Sequence, residues 1–413
     1  MKIPKWRIIK KNFITLSFFF VVMSMEKFSW LISREPYIIP GFLKVSDIGV
    51  LAAIAWIIYV MFIVRTKQKI KYSIFPALFV VMIIVSSFAA YSFFGQGFGL
   101  TIRQNRYIII SMLLYYAIIK ALKTGHMLRT DVISIIAFQA VVEIILFTLQ
   151  YIMIDTVTFI YVNVDSRYGE TRMRVSYLLA LIFMYICIDR ILNNKYKMWN
   201  FFLAIGGVFV LVVISKNRTP SVIMLGTFVA AFLLWKKGSA TKFFVGIMVG
   251  IIAVAFIVNS TLFQDVLAIV GGAPRDVLGV RHSGQFYYIE ALAKSPLIGF
   301  GEPNENCIAA TLASGEHLNY FLADNGIIGF FYSHGIMGLI WLIFFWVKMV
   351  KESYYLFKKK NMYQYILYVI FETGNLYIGM HWYHYYAMPF VLIITLMSYD
   401  YSNAIEEKAI KAV

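Results

Sequence analysis

Ile74-Phe-Pro-Ala-Leu-Phe-Val-Val-Met-Ile-Ile-Val-Ser-Ser-Phe-Ala-Ala-Tyr-Ser-Phe-Phe94 is 21 residues long and carries no charged side chain. A helix needs roughly 20 apolar residues to cross a hydrocarbon core, so this stretch reads as a membrane span. Blocks of the same kind recur on both sides of it, near Phe13–Met25, Ile48–Val64, Tyr107–Ile119, Val132–Ile154, Val175–Ile188 and Trp199–Ile214. They continue at Pro220–Trp235, Phe243–Val258, Ile327–Val347, Met362–Met380 and Tyr385–Ser398. The whole chain of 413 residues is 61% hydrophobic and only 14% charged, where soluble domains carry roughly a quarter of charged residues. The fold expected is an all-α polytopic membrane protein of about twelve transmembrane helices, built as one domain over residues 1–413.

Basic residues set the expected orientation, because cytoplasmic connectors hold an excess of Lys and Arg. With connectors assigned to alternate sides, 25 of the 38 basic residues fall on the side of the two termini. That side, expected to be cytoplasmic, holds Arg65–Lys71, Lys120–Arg129, Arg190–Lys197, Lys236–Lys242 and Lys348–Lys360. Its cations are nearly all lysines, whereas nine of the thirteen on the other side are arginines. Lysine suffices as a topological anchor, but a guanidinium fork binds phosphate in bidentate fashion, so the outer arginines suggest an anionic ligand. Ordinary loop composition with carboxylate partners is the bland alternative. The net charge of +17 is then a topology signal facing anionic lipid, and no nucleic-acid partner is expected.

Several chemistries lack their residues. The chain has no phosphate loop for hydrolysing a nucleotide, no Asp-x-Asp pair for a metal-bound sugar nucleotide and no zinc helix. His381 and His384 are two ligands at helical spacing, too few for a metal site. Neither a metal nor a cofactor is expected, and the cysteines Cys187 and Cys307 read as unpaired fillers.

The largest irregularity is the connector of about 259–325 between the ninth and tenth spans, expected on the external face. Long connectors of this kind tend to carry sites. Phe286–Ala293 reads as an amphipathic helix near the interface, and Ser295–Glu305 as a turn-rich segment in which glycines let the backbone fold tightly. Earlier, Ser215-Lys-Asn-Arg218-Thr-Pro-Ser221 forces two cations, Lys216 and Arg218, into a short outer turn. Pro220 suits the first turn of the following helix, so amide donors stand beside the guanidinium and the corner suits a phosphate. Two cations that merely solvate a tight turn account for it equally well.

Three elements in order carry a family likeness. They are the Ser215–Ser221 segment, the Val280-Arg281-His282 start followed by Pro296…Gly299-Phe-Gly301, and His317-Leu-Asn-Tyr…Gly326-Ile-Ile-Gly329. Together they resemble the superfamily of O-antigen ligases and Wzy-type O-antigen polymerases over Ser215 to Gly329. Lys-Asn stands between Ser215 and Arg218, and Leu318 follows His317 where Asn is frequent in the family. The resemblance implies a membrane glycosyltransferase that moves an oligosaccharide from undecaprenyl pyrophosphate to a sugar hydroxyl of another lipid-linked repeat. It also implies a bacterial inner membrane, an active site on the external face, and a flippase and chain-length regulator as partners on the same route. Under it, Arg218 and Arg281 stabilise the departing pyrophosphate and His317 is the general base, with Glu290 a weaker substitute. Lys216, Arg103, Arg106, Arg167, Arg172, Arg174 and Arg275 are the further cations expected to guide pyrophosphate or acidic sugars.

Two alternatives stay open. A ligase to a lipid A core would use the same donor. A flippase or proton-coupled transporter would use the in-span polar residues Glu143, His334, Glu372 and Asn375, which are costly in lipid and are expected to face the bundle interior.

Overall fold

The computed structural model describes residues 5–27, 31, 37–39, 43–44, 47–66, 69–167, 170–195, 197–235, 276–377, 379–384 and 387–412. The expected ninth span, Arg275 and the first part of the long connector lie outside the described residues. The chain is mostly helical. Helices α1 (Lys5–Met25), α2 (Asp47–Ile58), α3 (Phe75–Phe94), α4 (Phe98–Lys123) and α5 (Arg129–Ile152) form the first half. Helices α6 (Leu178–Leu192), α7 (Lys197–Phe209) and α8 (Arg218–Leu234) follow. After the undescribed stretch come α9 (Asp276–Leu292), α10 (Ile308–Ala313), α11 (Gly326–Lys360), α12 (Tyr363–Asn375), the single turn α13 (His381–His384) and α14 (Ala387–Ala412). Four described helical segments, Phe75–Phe94, Phe98–Lys123, Arg129–Ile152 and Leu322–Lys360, are long and apolar enough to cross a membrane.

Burial follows from the helix faces. On α3 the exposed residues Leu78, Val81, Ile84, Phe88 and Tyr91 recur every three or four positions, a stripe suited to lipid, while Phe79, Met82, Ile83, Ser86 and Ala90 are buried. Helix α6 is buried all round from Leu178 to Cys187 and lies at the centre, against α5, α7 and α12. A helix apolar on every face must be covered on every face.

Side chains from connectors distant in sequence meet at the two ends of the bundle. At one end Arg129 bonds Asp400 at 2.8 Å, Lys123 bonds Glu406 at 2.7 Å, and Asn193 donates to the Asn361 carbonyl at 3.0 Å. Three lysine-rich connectors and the carboxy-terminal helix thereby share an end. At the other end Arg106 bonds Asp47 at 2.7 Å, and Asn304 of the long connector donates to the Leu100 carbonyl at 3.2 Å.

Several boundaries differ from those expected. The fourth span was read as starting at Tyr107, but α4 begins at Phe98, so Arg103 and Arg106 belong to its first two turns rather than to a loop. The eleventh was read as running to Met380, but α12 stops at Asn375, where the Leu376 carbonyl accepts from the Ile327 amide at 2.7 Å and leaves the helical ladder. Two short antiparallel hairpins, β1 (Tyr37–Ile39) with β2 (Leu43–Lys44) and β3 (Asn163–Arg167) with β4 (Glu170–Arg174), add strand to an expected all-α fold. In the β3–β4 register Asp165 stands opposite Arg172.

The element that organises the outer half is a break in α11. At Gly335 the backbone turns to φ 61°, ψ −160°, outside helical space. A regular helix would bond the Ile336 amide to the Tyr332 carbonyl and the Met337 amide to the Ser333 carbonyl. Instead the Pro296–Gly301 turn takes all four groups. The Phe300 and Gly301 amides donate to the Tyr332 and Ser333 carbonyls at 2.9 and 2.8 Å, and the Ile336 and Met337 amides donate to the Pro296 and Leu297 carbonyls at 2.8 and 3.1 Å. Two lost helix bonds become four bonds to the turn, so all four groups at the break keep a partner.

Glycine is required on both sides of this joint. A Cβ on Gly335 would lie 2.5 Å from the Leu297 carbonyl, and one on Gly299 would lie 2.6 Å from the Gly335 amide. Gly335→Ala or Gly299→Ala is therefore expected to cost more than about 2 kcal/mol, since a strained backbone and a backbone clash add. A fall in the thermal midpoint of the detergent-solubilised protein reads this, and a midpoint equal to that of the wild type would refute the joint.

Candidate functional site

Three helix ends converge at the end of the bundle that carries the long connector. Helix α9 buries Gly284, Gln285, Tyr288 and Leu292, and Arg281 lies one turn before Gly284 and Gln285 on the same side. Gly284 faces the Asn325 amide and the Tyr320 ring, and Gln285 accepts from the Tyr377 hydroxyl at 3.4 Å. The start of α11 is pressed onto the end of α12, because a Cβ on Gly326 would lie 2.3 Å from the Leu376 carbonyl. Gly374 of α12 in turn meets Ile223 of α8, one and a half turns after Arg218. The α12 end is thus a bridge between the helix of Arg281 and the helix of Arg218.

Arg281 is half-buried, and no described carboxylate pairs with it. An unpaired, partly desolvated guanidinium is the arrangement that favours an incoming anion. The side chain of Arg218 lies outside the described residues; its backbone opens α8 directly after Lys216, which has φ 46°.

Below this cleft a buried polar chain crosses from the connector into the bundle. Ser333 donates to the Glu302 carboxylate at 2.8 Å, and Glu302 lies next to the Tyr383 hydroxyl. Tyr383 and the His334 Nε2 are 2.7 Å apart, and the His334 Nδ1 and Ser86 Oγ are 2.9 Å apart. Ser86 spends its proton on the Met82 carbonyl at 2.7 Å, so it accepts from His334 Nδ1–H. Of this chain only His334 was singled out from sequence, for its burial. Glu302 directly follows Gly301, and Tyr383 lies inside His381-Trp-Tyr-His384; both stand in motifs read for backbone or metal geometry alone.

The remaining expected residues are spread more widely. His317 is exposed in the short turn Glu316–Leu318, and no described residue hydrogen-bonds its ring. It belongs to the lobe of Arg281, since Gly315 packs against Tyr287 of α9 and Tyr320. Glu290 is exposed, on the side of α9 turned away from Tyr288. Helix α9 starts ten residues before the expected Phe286, and its outward face carries exposed Phe286 and Ile289, so it is apolar on both sides rather than amphipathic. Arg103 is half-buried on α4, whereas Arg106 is held by Asp47 and lies over the Tyr107 ring. Arg167, Arg172 and Arg174 sit on the β3–β4 hairpin, away from the α9 lobe in sequence and element. Tyr288 is fully buried and donates to the Ser314 carbonyl, which makes it core rather than a stacking platform. Glu143, His334, Glu372 and Asn375 are all buried. Both cysteines are free, and no described cluster of three or more His, Cys, Asp and Glu is placed to hold a metal.

One carboxyl of the long connector is perturbed. Partial burial lifts the Glu316 acid above its ordinary value, and the nearby Glu302 and Glu305 charges add to the rise. An acid whose folded pKa is raised stabilises the fold below its ordinary value and loses that contribution as pH rises through the raised one. The thermal midpoint is expected to fall as pH climbs above the ordinary carboxylate range, and Glu316→Gln is expected to flatten that part of the slope. An unchanged slope in Glu316→Gln would assign the pH dependence elsewhere. Compared with models of protein families and with curated proteins, the chain matches none.

Proposed function

We propose that the protein is a membrane glycosyltransferase that polymerises lipid-linked oligosaccharide repeats, with undecaprenyl pyrophosphate as leaving group. The observation that carries the reading is the half-buried Arg281, unpaired with any described carboxylate, on a lobe whose neighbour α12 packs against the helix opened by Arg218. The lysine-rich end of the bundle is taken as cytoplasmic, and the end that carries the long connector as external.

In this reaction the acceptor sugar hydroxyl gives its proton to His317. Its oxygen attacks the anomeric carbon of the donor while the bond from that carbon to the pyrophosphate oxygen breaks, and the electron pair leaves with the lipid-linked pyrophosphate. Charge grows on the leaving group as the bond opens, so guanidinium groups at Arg281 and Arg218 stabilise the transition state more than the bound donor. No metal or nucleotide enters the balance. A flippase would bind the same lipid but break no bond.

Loss of the protein separates these readings. A polymerase deletion is expected to leave single repeats on the outer leaflet, capped onto acceptors and not elongated; a ligase deletion leaves long chains on the carrier, and a flippase deletion traps repeats inside. Arg281→Lys keeps the charge and loses the fork, with an expected fall of roughly tenfold or more in chain elongation. His317→Ala is expected to reduce it about a hundredfold while the protein stays in the membrane. Elongation at wild-type level in both variants would exclude the assignment.

A further inference from the structure

Helices α1 and α5 lie side by side and leave an open groove of about 670 Å³ between them. Two contacts join the helices along it. The Thr15 hydroxyl donates to the Asp131 Oδ2 at 3.4 Å, and further along both helices the Phe19 and Phe138 rings meet edge-on with centroids 5.2 Å apart. The volume is of the order usual for small-ligand sites, roughly 300–1,000 Å³.

The groove changes character along its length. At the lysine-rich end of the bundle, where Arg129 pairs with Asp400, its lining is polar: Asn12, Thr15, Asp131 and Ser134. Phe138 lies seven residues beyond Asp131, about 10 Å deeper by helical rise. There Leu16, Phe19 and Phe138 line the groove, and Leu16 and Phe138 are 67% and 50% exposed. A slot with a polar mouth and an apolar run, open on the outside of a membrane bundle, matches an amphipathic molecule of the bilayer itself.

The charge at the mouth selects the headgroup. Asp131 Oδ2 also accepts from the Leu128 amide at 2.8 Å and so caps α5, whereas Oδ1 takes no bond among the described residues. The nearby cations are committed elsewhere, Arg129 to Asp400 and Lys123 to Glu406. A half-buried carboxylate oxygen left over in this way repels an anionic headgroup and suits an ammonium with N–H to donate. Asn12 and Ser134 are exposed and make no side-chain hydrogen bond among the described residues, so their donors remain for phosphate oxygens.

From this juxtaposition we propose that the groove between α1 and α5 binds one phospholipid with a primary ammonium headgroup, of the phosphatidylethanolamine kind. Asp131 takes the ammonium, Asn12 and Ser134 donate to the phosphate, and an acyl chain lies along Leu16, Phe19 and Phe138. The site stands at the end of the bundle away from Arg281, and the inference is independent of the transferase reading.

The test uses the full-length protein in detergent with equimolar dioleoyl phosphatidylethanolamine and dioleoyl phosphatidylglycerol, read by native mass spectrometry. The wild type is expected to retain one phosphatidylethanolamine, about tenfold in preference to the anionic lipid. Asp131→Asn keeps an oxygen for the Leu128 amide and loses the charge, so the preference should fall to about parity. Ser134→Trp fills the groove from an exposed position and should displace the bound lipid about tenfold or more, which gives a second measurement should Asp131→Asn fail to fold. Equal retention of the two lipids by the wild type, a preference unchanged in Asp131→Asn, or bound lipid unchanged in Ser134→Trp would each overturn the site. So would a polyprenyl phosphate held in place of the phospholipid.

Discussion

Hydrocarbon offers no hydrogen-bond partner, and a helix opened inside a membrane bundle must find one within the protein. At Gly335 that partner is the Pro296–Gly301 turn, which accepts and donates the bonds that α11 gives up. The rest of the outer half hangs on this exchange. It draws Glu302 down to Ser333 and Tyr383, anchors Asn304 on α4, and holds α9 against the start of α11, where Gly284 meets the Asn325 amide. At the far end, where connectors are rich in lysine, ion pairs such as Arg129–Asp400 tie the helices by side chains instead.

The polar chain beneath the turn has a second consequence. Because Ser86 commits its proton to a helix carbonyl, it accepts from His334 Nδ1–H, and the imidazole is oriented from inside the bundle. Glu302 belongs to the long connector, yet it is held by Ser333 of α11 and lies next to Tyr383 of α13. A carboxylate so oriented keeps a defined position even though the segment that bears it is a turn.

What could be read from sequence tracks the size of the hydrophobic signal. Uninterrupted blocks such as Ile74–Phe94 mark helices unambiguously, and the turn at Pro296–Gly301 is written in its glycines. The break at Gly335 is not legible, because Ser333, His334 and Gly335 sit inside an apolar run whose composition a continuous helix would share. For the same reason the end of α12 was missed: Leu376 to Met380 is apolar, and what stops the helix is a bond to Ile327, some fifty residues earlier. Arg281, Arg218 and His317 were nominated by motif, and the fold brings the helices of the first two to a common neighbour. Glu302 and Tyr383 were not nominated as a pair, because their contact is one that only packing reveals.

The four bonds of the joint are main-chain bonds, and amide and carbonyl groups are the same in every residue, so exposed side chains of the lobe, such as His317, can change without touching them. A scaffold attached in this way separates inheritance of the fold from inheritance of specificity. Diverging sequences can rewrite the exposed surface of the lobe while the helices beneath it keep their packing.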